Sequence, residues 1–356
     1  VILGSVFAFG HSHNSLFEDA DPAHRFNPTH TNRLLREEFL NKGVEINTAD
    51  LNGNRRVDFE LHFEGRPLMP ARVPRFLIAL ENPVINPLNA DRAYFAQFSR
   101  AFTWNPALFD LPNVEEVFVP NRFAIPRWPA FEERDIFSCL INANKQFKIE
   151  TPNDLYKERL AVIRWYEGNA PAYFELYGLG WNKPFREPGL RGLVRRRVER
   201  LATQLFGYRP FPAWKGEIAD KSVVLLRSKF AYCYENVYGL SGYVTEKIFD
   251  CLMNGCIPIY WGANDIGSRI SLECFIDRRE FRDTAQVHSH LLSISAAEYG
   301  RKQEAIRDFL GSKDAERFSS EYFVRSIVEG VIAELGLGAK AHHEASARNQ
   351  VTEPHS

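Results

Sequence analysis

The run RFLIAL (75–80) constrains this chain more than any other stretch. It is apolar from Phe76 to Leu80 and is bounded by Pro74 and by the turn-forming ENP of 81–83. A strand that is apolar on both faces needs cover on both faces, which a parallel strand gets from flanking helices. The neighbouring segments supply that partner type. VILGSVFAF reads as a strand, NRLLREEFLNKG (32–43) as a helix ending at Gly43, and VEINTAD and VDFELHFE as strands. Strands alternating with helices predict an α/β chain with open, doubly wound sheets.

The alternation stops at PNRFAIPRWP (120–129), where three prolines in ten residues mark an extended connector. It then restarts. DIFSCLINA is a strand and NDLYKERLAVIRWYEG a helix capped by Asn153 or Asp154. AYFELYGLGW (172–181) is a strand, KSVVLLRSK a short helix, FAYCYEN (230–236) a strand, TEKIFDCLMNG a helix and CIPIYWG a strand. Helices follow near 284–293, 297–310 and 319–335. This predicts two α/β units, 1–132 and 133–335, with a polar, aperiodic tail over 336–356. Ligands of such sheets bind beyond the C-terminal strand ends.

Composition excludes several function classes. The 356 residues carry a formal net charge of −1, so no global field recruits nucleic acid or an anionic membrane. VILGSVFAF is too short to span a bilayer and lacks a signal-peptide pattern. The chain begins at Val1 rather than Met, which leaves room for a segment upstream. Five cysteines without a CxxC pair, and no acceptable N-x-S/T site, fit reduced thiols in the cytoplasm.

The most informative turn is GYVTEKIFD (242–250). Thr245 is the expected N-cap, with Glu246 and Lys247 opening the helix and Ile248, Cys251 and Leu252 forming its apolar stripe. A helix N-terminus attracts anions, and Lys247 adds a full positive charge. Glu246 would repel a phosphate, but a carboxylate accepts hydrogen bonds from paired sugar hydroxyls. A nucleoside diphosphate sugar offers both groups to this pair. The plainer reading is that Glu246 favours the helix dipole and Lys247 points into water. G-x-G-x-x-G and G-x-x-x-x-G-K-[ST] are both missing from the strand–helix turns, so dinucleotide and P-loop binding lack their fingerprints.

The longer run KFAYCYENVYGLSGYVTEKIFDCLMNGCIPIYWG (229–262) closely resembles the donor-site signature of the α-1,3/1,4-fucosyltransferases. Weaker similarity extends to DLYKERLAVIRWYE…FELYGLGW, ALENP and CFIDRREF (274–281), covering most of 70–330, while the first seventy residues match nothing. The resemblance implies two Rossmann-like domains facing each other across a cleft, the GT-B architecture, with acceptor bound by the N-terminal domain and donor by the C-terminal one. It implies inverting transfer of L-fucose from GDP-fucose to a hydroxyl of N-acetylglucosamine or glucose, with an α-1,3 linkage expected. It places Asn236, Tyr243, Glu246 and Lys247 at donor-binding positions, although the loop before GYVTEK is one residue longer than in some bacterial members. Arg159 matches the arginine set against the diphosphate, and Glu81 the base glutamate. The partners implied are GDP-fucose and an oligosaccharide or glycoconjugate acceptor. No metal is required, although a divalent ion could assist.

Other signals carry less. DAD (19–21) follows no strand, so it is a poor metal motif, and His11 and His13 make at most a weak site. The cluster RGLVRRRVER (191–200) reads as a solvated helix face, with acidic-lipid contact, and hence peripheral membrane association, or acceptor binding as its functional alternatives. Trp181, Tyr260 and Trp261 lie near strand ends as candidate crevice walls. Three rival functions stay open: transfer of another GDP-linked deoxyhexose, a non-catalytic GDP-sugar or glycan-binding module, and a nicotinamide oxidoreductase.

Overall fold

The structure, a computed structural model, describes residues 2–18, 28–147, 150–184 and 207–337, with 192, 194, 197–199, 201, 202 and 205 between them. The DAD of 19–21, much of the arginine cluster and the tail from 338 lie outside the described residues. The chain forms two compact units. The first runs to Arg122 and resumes at Arg317, and the second takes Phe123–Glu316.

The first unit holds β1 (Ile2–Phe7), α1 (Pro28–Asn41), β2 (Val44–Thr48), β3 (Phe59–Phe63), β4 (Arg75–Ala79), β5 (Arg100–Thr103) and β6 (Val114–Glu116). Its sheet order is β2-β1-β3-β4-β5-β6, and every pairing is parallel. RFLIAL forms β4, in the sheet interior, with Phe76, Leu77 and Ile78 fully buried. β5 and β6 were not anticipated; four and three residues are too short to show a period.

The unit boundary differs from expectation. The last helix, Ser320–Glu334, forms where the sequence places it but belongs to the first unit, not the second. Its stripe of Phe323, Ile327 and Val331 joins Phe39, Phe59 and Phe102 in one core, each side chain contributing roughly 1.5–3 kcal/mol by burial. Gly330 permits the approach, since a Cβ there would sit 2.8 Å from the Phe102 ring. The Ser320 and Thr31 hydroxyls pair at 2.8 Å beside it. An apolar stripe states that a helix needs a partner, not which unit supplies it.

The second unit holds β7 (Ile136–Ile141), α2 (Leu155–Asn169), β8 (Phe174–Tyr177), β9 (Trp214–Gly216), β10 (Ser228–Tyr234), α3 (Glu246–Met253), β11 (Ile257–Trp261) and β12 (Ile276–Asp277). Its sheet order is β12-β11-β10-β7-β8-β9, again parallel throughout. The chain goes one way from β7 to β8 and the other way to β10, so β7 and β10 flank the topological switch point. Ligands of doubly wound sheets bind beyond that point. All five cysteines are buried and unpaired. Among the described residues, no helix is long and apolar enough to cross a membrane.

Candidate active site

The apolar strand β10 ends on Tyr234, and the next residue, Glu235, is fully buried. Its Oε1 accepts from the Thr245 N–H at 2.9 Å, and its Oε2 from the Thr245 hydroxyl at 2.8 Å and Lys247 Nζ at 3.1 Å. A buried carboxylate is tolerated only when paired in this way. The glycine of CIPIYWG belongs to this packing: a Cβ on Gly262 would lie 2.4 Å from Glu235 Cγ. Sequence reading cited Glu235 as a strand end and missed its role. Its signal was a carboxylate closing an otherwise apolar strand.

α3 begins as expected, with Thr245 as N-cap; its hydroxyl oxygen accepts from Lys247 N at 3.5 Å and from Lys247 Nζ at 2.9 Å. Burial alone would lower the Lys247 ammonium, but Glu235 and Glu246 beside it raise it above the usual lysine value. Glu246 lies 3.6 Å from Lys247 and keeps 42% of its side chain exposed, so it can meet a ligand. Partial withdrawal from water works against its ionisation, yet Lys247 and Lys221 outweigh that and hold the group at about 2. Lys221, which sequence reading passed over, pairs with Asp250 one turn along α3 at 2.6 Å. Burial opposes its charge, and Asp250 and Glu246 reverse that effect. A cavity of about 30 Å³ touches Asn142, Lys221, Tyr234, Lys247 and Asp250. It has room for a water or two.

Arg159, expected from the resemblance to face the diphosphate, is 3% exposed on α2 and is held by the strand ends. Its Nη2 donates to the carbonyls of Tyr234 at 2.6 Å and Glu235 at 2.8 Å, and to Asn236 Oδ1 at 3.3 Å. With the Asn142 amide oxygen turned toward it, Nε and Nη1 each donate at 2.9 Å. The guanidinium thus ties the ends of β7 and β10 together at the switch point. The reason is geometric: parallel strands leave their last carbonyls unpaired, and a rigid fork of donors satisfies several at once.

Asn236 and Tyr243 lie in the same cluster, the first partly buried on Arg159 and the second 3% exposed in the loop before α3. Trp181 and Tyr260 prove to be core, at 2% and 1% exposure. Trp261 is partly exposed and stacks on Tyr238 with ring centroids 5.4 Å apart.

Glu81 belongs to the first unit, two residues past β4, and is partly exposed. Its Oε1 accepts from the Asn82 backbone N–H and from Asn82 Nδ2, both at 2.8 Å. His11 and His13 are exposed, and among the described residues no group of His, Cys, Asp and Glu could hold a metal ion.

These two parallel sheets define the class: each unit is Rossmann-like, and the fold is that of the GT-B glycosyltransferases. A crystal structure of an α1,3-fucosyltransferase superposes with a TM-score of 0.50 over 92% of this chain and 90% of that one, at 16% identity. An α-glucosyltransferase in complex with UDP-glucose and DNA containing an abasic site gives 0.53 over 92% and 98%, at 10% identity. At such identities the likeness is one of fold. Residues 201–303 match the profile of glycosyltransferase family 10 (fucosyltransferase), C-terminal part. The α-(1,3)-fucosyltransferase FucT of Helicobacter pylori is 36% identical over 66 residues, 18% of this chain. The chain spans only 14% of the length of that curated relative. Over residues 201–303 the chain is thus similar to the C-terminal part of the fucosyltransferase family.

Proposed function

We propose that this protein is an inverting fucosyltransferase that moves L-fucose from GDP-fucose to a hydroxyl of an N-acetylglucosamine or glucose unit, forming an α-1,3 linkage. The observation that carries the reading is the tip of α3: Thr245, Glu246 and Lys247 set at a switch point by the buried Glu235. Lys247 takes the diphosphate and Glu246 the ribose hydroxyls, with Asn236 and Tyr243 beside them. Arg159 adds positive charge from behind the strand ends while its hydrogen bonds hold the scaffold. The second unit is then the donor domain and the first the acceptor domain.

As the acceptor oxygen attacks the anomeric carbon, Glu81 takes its proton and the bond from that carbon to the diphosphate oxygen breaks. Negative charge gathers on GDP, where Lys247 stabilises it. No metal is needed in this scheme, because the ammonium supplies the charge. Support comes from the family profile over 201–303 and from the local motif.

The test is a thermal-shift screen of GDP, UDP and CMP followed by a transfer assay with GDP-fucose. Selective stabilisation by GDP and fucosyl transfer are expected. Stabilisation by UDP instead of GDP, or tight GDP binding without transfer to any glycan acceptor, sinks the reading.

A further inference from the structure

A general base works only if its carboxylate is held in place, and the neighbourhood of Glu81 contains a device that does this. β3 pairs with β4 as far as Phe63 opposite Ile78, and the Glu64 N–H still donates to the Ile78 carbonyl at 2.8 Å. There the β3 backbone turns away. Glu64 adopts φ 62, a left-handed conformation that a residue with a side chain seldom takes. Glycine would make that turn more easily, so the side chain has another use.

That use is visible in its hydrogen bonds. Glu64 Oε1 accepts from the backbone N–H groups of Leu80 and Glu81, both at 3.1 Å, and Oε2 also accepts from Glu81 N at 3.1 Å. The carboxylate thus continues the ladder past the end of β3 and grips the N–H of the candidate base. Asn89, 2% exposed, donates through Nδ2 both to Glu64 Oε2 and to the Glu81 carbonyl, the latter at 2.9 Å. Trp104 Nε1 donates to the Leu80 carbonyl at 2.6 Å. Burial raises the Glu64 carboxyl, and the bonds from Asn89, Glu81 and Leu80 pull it back.

We infer that Glu64 is a positioning residue for this reaction: its carboxylate fixes the Leu80–Glu81 backbone and so aims the Glu81 side chain at the acceptor hydroxyl. The inference rests on the reading of Glu81 as the base. Gln at 64 would keep one acceptor oxygen and turn an NH2 group toward N–H donors, loosening the grip. A shift of about 1 Å at a catalytic group costs about a hundredfold in rate.

The experiment is a double-mutant cycle of Glu64→Gln and Glu81→Gln on the full chain, with GDP-fucose and acceptor kinetics and GDP binding as the check on folding. Glu64→Gln should lower kcat at least tenfold with the GDP-fucose KM unchanged, and should slow Glu81→Gln no further, because it acts through Glu81. Wild-type kcat in Glu64→Gln, or an equal loss in both backgrounds, overturns the positioning role and leaves Glu81 untouched. Wild-type turnover in Glu81→Gln removes the base itself, and the inference falls with it. Should Glu64→Gln fail to fold, Trp104→Phe releases the other side of the same peptide. It should show a smaller kcat loss that vanishes in the Glu81→Gln background, and a loss that persists there counts against the inference.

Discussion

The two candidate regions hold their carboxylates in opposite ways. At the tip of α3, Glu235, Glu246 and Asp250 face Arg159, Lys221 and Lys247, so every charge is met by a charge. At the end of β4, Glu81 accepts from the backbone and side-chain N–H donors of Asn82. Under the proposed function, the first arrangement pre-places cations for an incoming diphosphate, which competes with Glu235 for Lys247. The second holds its carboxylate against the N–H donors of the next residue in the chain.

The largest expected effect comes from the end of β4. Glu81→Gln should cut transfer by about 10²–10⁴-fold, the usual worth of a general base. GDP affinity, measured by titration, should stay as it is. Loss of GDP binding along with turnover would show that the two regions do not divide the work this way.

Next is Glu235→Gln, which leaves Lys247 without its buried carboxylate partner. Breaking such a pair costs about 3–5 kcal/mol, to be read from urea denaturation. A cost within about 1 kcal/mol would mean that the cluster behaves as an ordinary surface pair and is not the scaffold of the tip.

Lys247→Met removes one charge-assisted contact to the diphosphate, worth about 1.5–3 kcal/mol, so GDP should bind about ten to a hundred times more weakly. Unchanged GDP affinity would leave Lys247 as a partner for Glu235 and nothing more.

The smallest effect separates Glu246 from the rest. Its folded carboxyl is held at about 2, below the ordinary carboxylate value, by Lys247 and Lys221 against the effect of burial. Folding therefore favours its charged form. That contribution is fully present above the unfolded carboxylate's pKa and fades as pH falls toward about 2. Glu246→Gln should lower Tm modestly near neutrality, and the deficit should shrink steadily below about pH 4.5. A deficit independent of pH would assign the loss to packing rather than charge.

Helix Leu155–Asn169, strand β4 and the cap at Thr245 were legible because each rests on local chemistry: an N-cap at Asp154, a doubly apolar run, and a hydroxyl before a helix. β9 was not legible, since Trp214–Gly216 is too short to carry a pattern. The same contrast holds at the site. Lys247 and Glu246 stand out in the sequence because a helix N-terminus is a local feature. Glu235 and Lys221 were passed over because their partners stand 12 and 29 residues away.

The sequence alone determined that this is an α/β chain with parallel strands, and that one helix tip carries a carboxylate and an ammonium side by side. Both follow from periodicity and capping, which act over a few residues. Tertiary structure alone decided that the last helix completes the first unit, that Arg159 ties strand ends, and that Glu64 grips the backbone of Glu81. Those outcomes depend on which buried polar and apolar groups meet after long loops close, and no local pattern encodes that choice.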